Sequence, residues 1–116
     1  MTIHVADYIK TAFSVDDAKE VNTRIEQALT SDSEIILDFT GVTFFTTYFF
    51  SSSIMRYIND FGPEKFDEVF SVTGLTEVGQ TAYSHSLEFA REEYLLTPEQ
   101  KKARLNAIMS DLNEDL

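Results

Sequence analysis

The chain has 116 residues, of which 43% are hydrophobic and 25% charged, the composition of one globular domain long enough to bury a core without disulfides or a metal. Twenty acidic residues against nine basic ones give a net charge of −11, the opposite of what phosphate neutralisation demands, so nucleic-acid binding is excluded as a function class. The absence of cysteine removes thiol catalysis, disulfides and thiolate metal sites, and fits a reducing compartment.

The N-terminal stretch MTIHVADYIK has no apolar run of signal-peptide length, and no segment reaches the roughly 20 apolar residues of a membrane span. A soluble cytoplasmic protein without membrane contact is expected. Ile3, Val5 and Tyr8 alternate weakly with polar residues, which reads as an edge strand over Thr2 to Ile9, and Thr11 to Phe13 reads as a connector. Ser14 is a good helix cap, with Asp17 at the third helical position and Asp16 adding negative charge at the positive end of the helix dipole. Val15, Ala18, Val21, Ile25 and Leu29 then recur at three- and four-residue steps, predicting an amphipathic helix over Val15 to Leu29.

Ile35, Ile36 and Leu37 form a short apolar run between turn residues, the pattern of a central strand covered on both faces in a parallel sheet. Gly41 permits a sharp turn after it, and Val42 to Phe45 is either irregular chain or a bent strand. A helix is predicted to start at Thr46 or Thr47 and to end at Gly62, where Pro63 blocks continuation. Steps of 100° place Phe50, Ile54, Tyr57, Ile58 and Phe61 on one core stripe. Phe49 falls on the other side with Ser53, Arg56 and Asp60, and Tyr48 lies between, near Ser52.

Glu68 to Thr73 reads as a second buried strand, followed by a turn at Gly74 and a helix from Thr76 to Leu95. In that helix Gly79, Ala82, Ser86 and Ala90 make a small-residue stripe suited to close approach to a sheet. Thr97-Pro98-Glu99-Gln100 is a strong helix start, and Leu105, Ile108, Met109 and Leu112 share one face of the last helix. The whole is an α/β fold: a small sheet with helices packed on it over residues 1–96, plus a C-terminal amphipathic helix and acidic tail (97–116) belonging to the same domain.

Catalytic inventory is short. His4 stands at the chain start, and His85 sits between Ser84 and Ser86 in a helix, where neighbours point 100° apart and cannot face each other as nucleophile and base. No two histidines lie three or four residues apart, so no metal site is expected. The four glycines form neither of the common nucleotide-binding loops, so no cofactor is expected. Asp38 ends a strand where ligands of α/β sheets often bind, but a lone carboxylate there is weak evidence of a site, and the favoured reading is that it accepts hydrogen bonds from loop amides.

The unusual stretch is FFTTYFFSSS, Phe44 to Ser53. A core segment capped by threonine accounts for Phe44, Phe45 and Phe50. It leaves Tyr48 and Phe49 over, and an exposed aromatic pair beside hydroxyls is the pattern of a contact surface for another chain. Another helix of the same chain, with the C-terminal one as the obvious candidate, could equally cover the pair.

ILDFTGVTFF followed by a hydroxyl-rich helix start resembles the central motif of STAS domains of the anti-sigma-factor-antagonist type, and more nearly the STAS-like domain of unknown function (DUF4325) found in bacteria and their phages. Leu37-Asp38-Phe39, Gly41-Val42 and the later FSVTGL carry the resemblance, over Asp32 to Leu96. It implies a small α/β domain doing non-enzymatic work as a partner-binding switch. In antagonist STAS domains a partner kinase phosphorylates a hydroxyl in the loop Asp-Ser-Ser/Thr-Gly. Matched on the preceding Gly-Val, Thr46 stands at the Asp, Thr47 at the first hydroxyl, Tyr48 at the phosphorylated position and Phe49 at the glycine. The STAS-like family more often has Ser-Phe followed by Asp-Glu; here Phe49 keeps the Phe, and Ser51 and Ser52 replace the acids.

The expected function is therefore a regulatory protein–protein interaction module. Its partner surface is Thr46, Thr47, Tyr48, Phe49, Ser52, Ser53 and Arg56, with Thr47, Tyr48 and Ser51 as candidates for phosphorylation and a histidine-kinase-like ATPase as the candidate partner. The alternative is a homodimer formed through the aromatic patch and the C-terminal helix.

Overall fold

Three short strands lie at the centre: β1 (Thr2–His4), β3 (Ile35–Asp38) and β5 (Phe70–Thr73) form a parallel sheet in the order β1-β3-β5. Across it Thr2, Ile36 and Ser71 stand in one row, and His4, Asp38 and Thr73 in another. The computed structural model describes residues 1–114. The side chains of Arg104 and of 108–114 lie outside the described residues, and with them the face expected from Ile108, Met109 and Leu112.

The first helix forms as its sequence dictates. Ser14 accepts from the Asp17 amide and the Asp17 carboxylate accepts from the Ser14 amide, both at 3.0 Å, a reciprocal cap that opens α1 (Val15–Leu29). Its Ala18, Val21, Ile25 and Ala28 are buried against the sheet and its neighbours. β3 is central and parallel as expected, yet it is not covered on both faces. Ile35 and Leu37 are sealed, whereas Ile36 is 39% exposed in a row with Thr2 and Ser71, because the helical layer lies on the other side.

The edge strand at the N-terminus is shorter than expected, since the chain coils into a 3₁₀ turn at Val5–Asp7. The expected connector is itself a strand: β2 (Thr11–Ala12) runs parallel to β4 (Thr43–Phe45). The pairing is not regular. Thr11 stands opposite Thr43 and Ala12 opposite Phe45, so Phe44 is an extra residue in a bulge, with φ +54°.

The long helix expected from Thr46 or Thr47 to Gly62 is broken into α2 (Thr47–Ser52) and α3 (Arg56–Phe61). The Ser53 hydroxyl bonds back to the Phe49 carbonyl at 2.7 Å, and the Met55 amide reaches the Phe50 carbonyl at 3.1 Å, one residue further than in an α-helix. From α1, the Asn22 side-chain amide donates to the Ser52 carbonyl at 3.0 Å. Gly62, at φ +84°, ends α3; Pro63 then occupies the first turn of α4 (Pro63–Val69), a position where its missing N–H costs nothing. That helix buries Phe66 and Val69 at a three-residue step, which is why Glu68 and Val69 are helical and the following strand starts only at Phe70.

Thr76 caps α5 (Glu77–Leu95), accepting from the Gly79 amide at 3.1 Å. Gly79, Ala82 and Ser86 are buried as a close-approach stripe, against α2 and β4 of the two-stranded sheet rather than the three-stranded one; a methyl group on Gly79 would stand 3.0 Å from the Phe45 ring. Finally Thr97 and Gln100 exchange backbone and side-chain hydrogen bonds at the start of α6 (Pro98–Glu114).

Candidate functional site

The segment from β4 into α2 carries the expected contact surface, and the fold divides it in two. α2 is wedged between α1 and α5, so two of its sides are covered rather than one. Phe50 packs edge-on to Tyr83 at 5.3 Å and stacks on Phe45 at 6.0 Å. Phe49 packs edge-on to Phe50 at 5.3 Å and to Phe39 at 6.2 Å. Such ring pairs stabilise by about 1 kcal/mol each beyond the burial itself.

Phe49 is 0% exposed, and its expected role as a partner anchor is overturned. The ring fills the space between Phe39 and Phe50, in a helix wedged between α1 and α5. Ser53 is likewise sealed, with its hydroxyl committed to the Phe49 carbonyl, and cannot meet a partner in this fold. Thr46 is half-buried as the cap of α2, its hydroxyl accepting from the Phe49 amide at 3.1 Å. Ser52 is half-buried, with its carbonyl held by Asn22.

Thr47, Tyr48 and Ser51 are exposed. Tyr48 shows 57% of its surface to solvent. Behind it the Ser86 hydroxyl donates to the Thr47 carbonyl at 3.0 Å, fixing the first turn of α2 to α5. Thr47 lines a shallow cleft with Glu77, Val78, Thr81, Ala82 and His85. Arg56 lies beyond the break in another groove of about 420 Å³, with Ser51, Met55, Phe89 and Leu105 among its walls. Its guanidinium sits over the Tyr57 ring at 5.3 Å and 3.7 Å from Glu26, so the structure does not gather it with Thr47 and Tyr48 at the start of α2.

Besides Phe61, expected on the core stripe but 37% exposed, two exposed rings beside β2 and β4 escaped the sequence reading. Phe44, expected in the core, is 76% exposed, and Phe13, expected in a connector, is 62% exposed just after β2. The first left no signal, because a bulge places Phe44 outside: Thr43 and Phe44 are both exposed ahead of buried Phe45, which is not the alternation of a regular strand. Phe13 gave none, because the strand that places it has two residues.

The Asp38 carboxylate serves the loop. It accepts from the Thr40 hydroxyl at 2.7 Å and the Thr40 amide at 3.0 Å, while His4 Nδ1 lies 3.2 Å from its other oxygen. The Thr40 bonds, with His4 beside them, hold the Asp38 carboxyl below its ordinary pKa. Gly74, at φ +74°, closes over this turn, where a methyl group would come within 2.5 Å of the Thr40 amide nitrogen. Among the described residues no group of three or more His, Cys, Asp or Glu could hold a metal ion, and no helix is long and apolar enough to cross a membrane.

The family model of the STAS-like domain of unknown function (DUF4325) matches residues 17–80, more than half of the chain and the whole of β3, β4, α2 and β5. The chain belongs to that family. The match starts inside α1 and ends within α5, so it extends further toward the N-terminus and less far toward the C-terminus than the motif resemblance over Asp32 to Leu96. No curated protein and no solved structure matches the sequence.

Proposed function

We propose that this STAS-like domain is a cytoplasmic, non-enzymatic regulatory module that docks a partner protein at the mouth of α2, through Tyr48 and Thr47. The observation that carries the reading is the 57% exposed Tyr48 ring beside the exposed Thr47 hydroxyl, on a first turn clamped from behind by Ser86. Tyrosine offers a large contact area with little rotamer entropy to lose, and such rings on a rigid support are the usual anchors of interfaces.

The partner class we propose is a histidine-kinase-like ATPase that passes the γ-phosphoryl group of ATP to Thr47, Tyr48 or Ser51 and keeps ADP. The transfer would place nearly two negative charges beside an aromatic contact and break it. Titration calorimetry with such an ATPase tests the docking: binding is expected, and Tyr48→Ser should weaken it at least about tenfold, which is about 1.4 kcal/mol. Equal binding by the variant overturns the site. Intact mass after incubation with the ATPase and ATP tests the switch, and an unchanged mass removes it.

A second reading, a homodimer through α6, rests on the exposed Leu105 beside the groove that α6 forms with α3 and α5. Sedimentation at micromolar concentration decides it. A dimer that Leu105→Ser dissociates would favour this reading, and a monomer would discard it.

A further inference from the structure

We infer that Phe44 is the principal anchor of the docking surface, and that the partner segment it receives is cationic and amphipathic, pairing apolar side chains with lysines or arginines. The inference rests on the docking reading above and names the chemistry of its partner. It starts from an outlier. Phe44 is the one residue with a side chain held at positive φ among the described residues, at +54°, a region that L-residues other than glycine, asparagine and aspartate rarely occupy. It is also the extra residue of the bulge between β2 and β4, and bulges re-aim side chains that a regular ladder would turn elsewhere.

The fold buries little of the ring in return. The ring is 76% exposed, so the strained backbone holds a large apolar group in water. Glycine would satisfy the same turn without strain. A residue that burdens the monomer on both counts is explained when its ring is buried by something else. Two further rings stand on the same construction: Phe13 follows β2, whose Ala12 carbonyl accepts from the Thr46 amide at 3.1 Å, and Tyr48 follows Thr46 in α2. The bulge, the strand paired to it and the helix it leads into therefore each present an aromatic side chain.

Charge selects the occupant. Asp16 and Asp17 follow Phe13 in the first turn of α1, and Glu77 shares the cleft of Thr47; Lys10 stands ahead of β2 and Lys19 further along α1. The balance around the rings is acidic, within a chain of net charge −11. A second copy would bring the same acids against themselves, and nucleic acid would do worse. A basic segment gains on both counts, since its ammonium or guanidinium groups can pair with the acids and sit over the ring faces while its apolar side chains cover the ring edges.

The test uses the full chain and two short amphipathic helical peptides, one of leucine and lysine and one of leucine and glutamate, followed by amide chemical shifts. The lysine peptide should shift Phe13, Phe44 and Tyr48, weaken with added salt, and lose at least about tenfold in affinity with Phe44→Gly, while the melting temperature of that variant stays level or rises. The glutamate peptide should not bind. Equal binding of the glutamate peptide at these three residues overturns the cationic partner and leaves the docking site standing. Lysine-peptide shifts elsewhere, insensitive to Phe44→Gly, overturn the anchor, as does a variant that melts well below the parent. A wild-type dimer that Phe44→Gly converts to monomer would make the occupant a second copy and overturn the proposal as well.

Discussion

Within ten residues the chain builds two aromatic surfaces of opposite character. Phe45, Phe49 and Phe50 are sealed with Phe39 in a cluster of edge-on and stacked rings, while Phe44 and Tyr48 face solvent from the same stretch. Composition does not separate the two sets; backbone does. A strand residue turned outward by a bulge, and a first-turn residue on the one uncovered side of α2, are outside because of where their Cα–Cβ bonds point. The same residue type thus serves the core or a surface according to one or two dihedral angles.

Truncating an inner ring should show how much the fold depends on that cluster. Phe49→Ala removes a fully buried ring from among Phe39 and Phe50, and should cost about 4 kcal/mol in urea unfolding, the range of large-to-small core changes. A loss below about 1 kcal/mol would mean that the ring is not packed as described. Ser86→Ala cuts the clamp between α5 and α2 and leaves the Thr47 carbonyl without its partner at a buried serine. It should cost about 1–2 kcal/mol and speed hydrogen exchange in α2 more than in β3.

Much of the frame was legible. The caps at Ser14 and Thr97, the parallel strand at Ile35–Asp38 and the bounds of α1 follow from local chemistry that the tertiary fold leaves intact. The site was less legible, because a helical wheel assumes one covered face. α2 has two, supplied by α1 and α5, and the residue displaced by that assumption is Phe49. The break at Ser53 depends on a serine bonding backward and on Asn22 arriving from another helix, and neither leaves a trace in periodicity. The positive φ of Phe44 is invisible for a simpler reason: the residue type argues against it.

Asp17 holds the strand end beside a further exposed ring, and pH separates its share. Its carboxylate accepts from the Ser14 and Phe13 amides and the Thr11 hydroxyl, so it pins the end of β2 that carries the exposed Phe13 ring. Burial pushes the carboxyl up, but the bonds from Ser14, Phe13 and Thr11 outweigh it and leave the pKa below the ordinary 3.8. A depressed carboxyl contributes stability that is complete above the ordinary value and is lost as the pH falls through the folded one. Stability should therefore hold from pH 7 to about 5 and decline below about 4. Asp17→Asn should cost about 1 kcal/mol at pH 7 and flatten that decline; a decline of undiminished slope would place the acid sensitivity elsewhere, with Asp38 the next group to replace.

Tyr48→Ser should change stability least of all. The ring is more than half exposed, and a substitution on an open surface stays within about 0.5 kcal/mol, so urea midpoints of variant and parent should coincide. Its effect belongs to the partner, where loss of the ring should weaken binding at least about tenfold, about 1.4 kcal/mol. The informative quantity is the ratio of the two losses. For Phe49→Ala stability falls and any change in binding is secondary to it; for Tyr48→Ser binding falls while stability holds. If Tyr48→Ser instead loses stability like an inner ring, the two surfaces are one, and the mouth of α2 has no face left for another molecule.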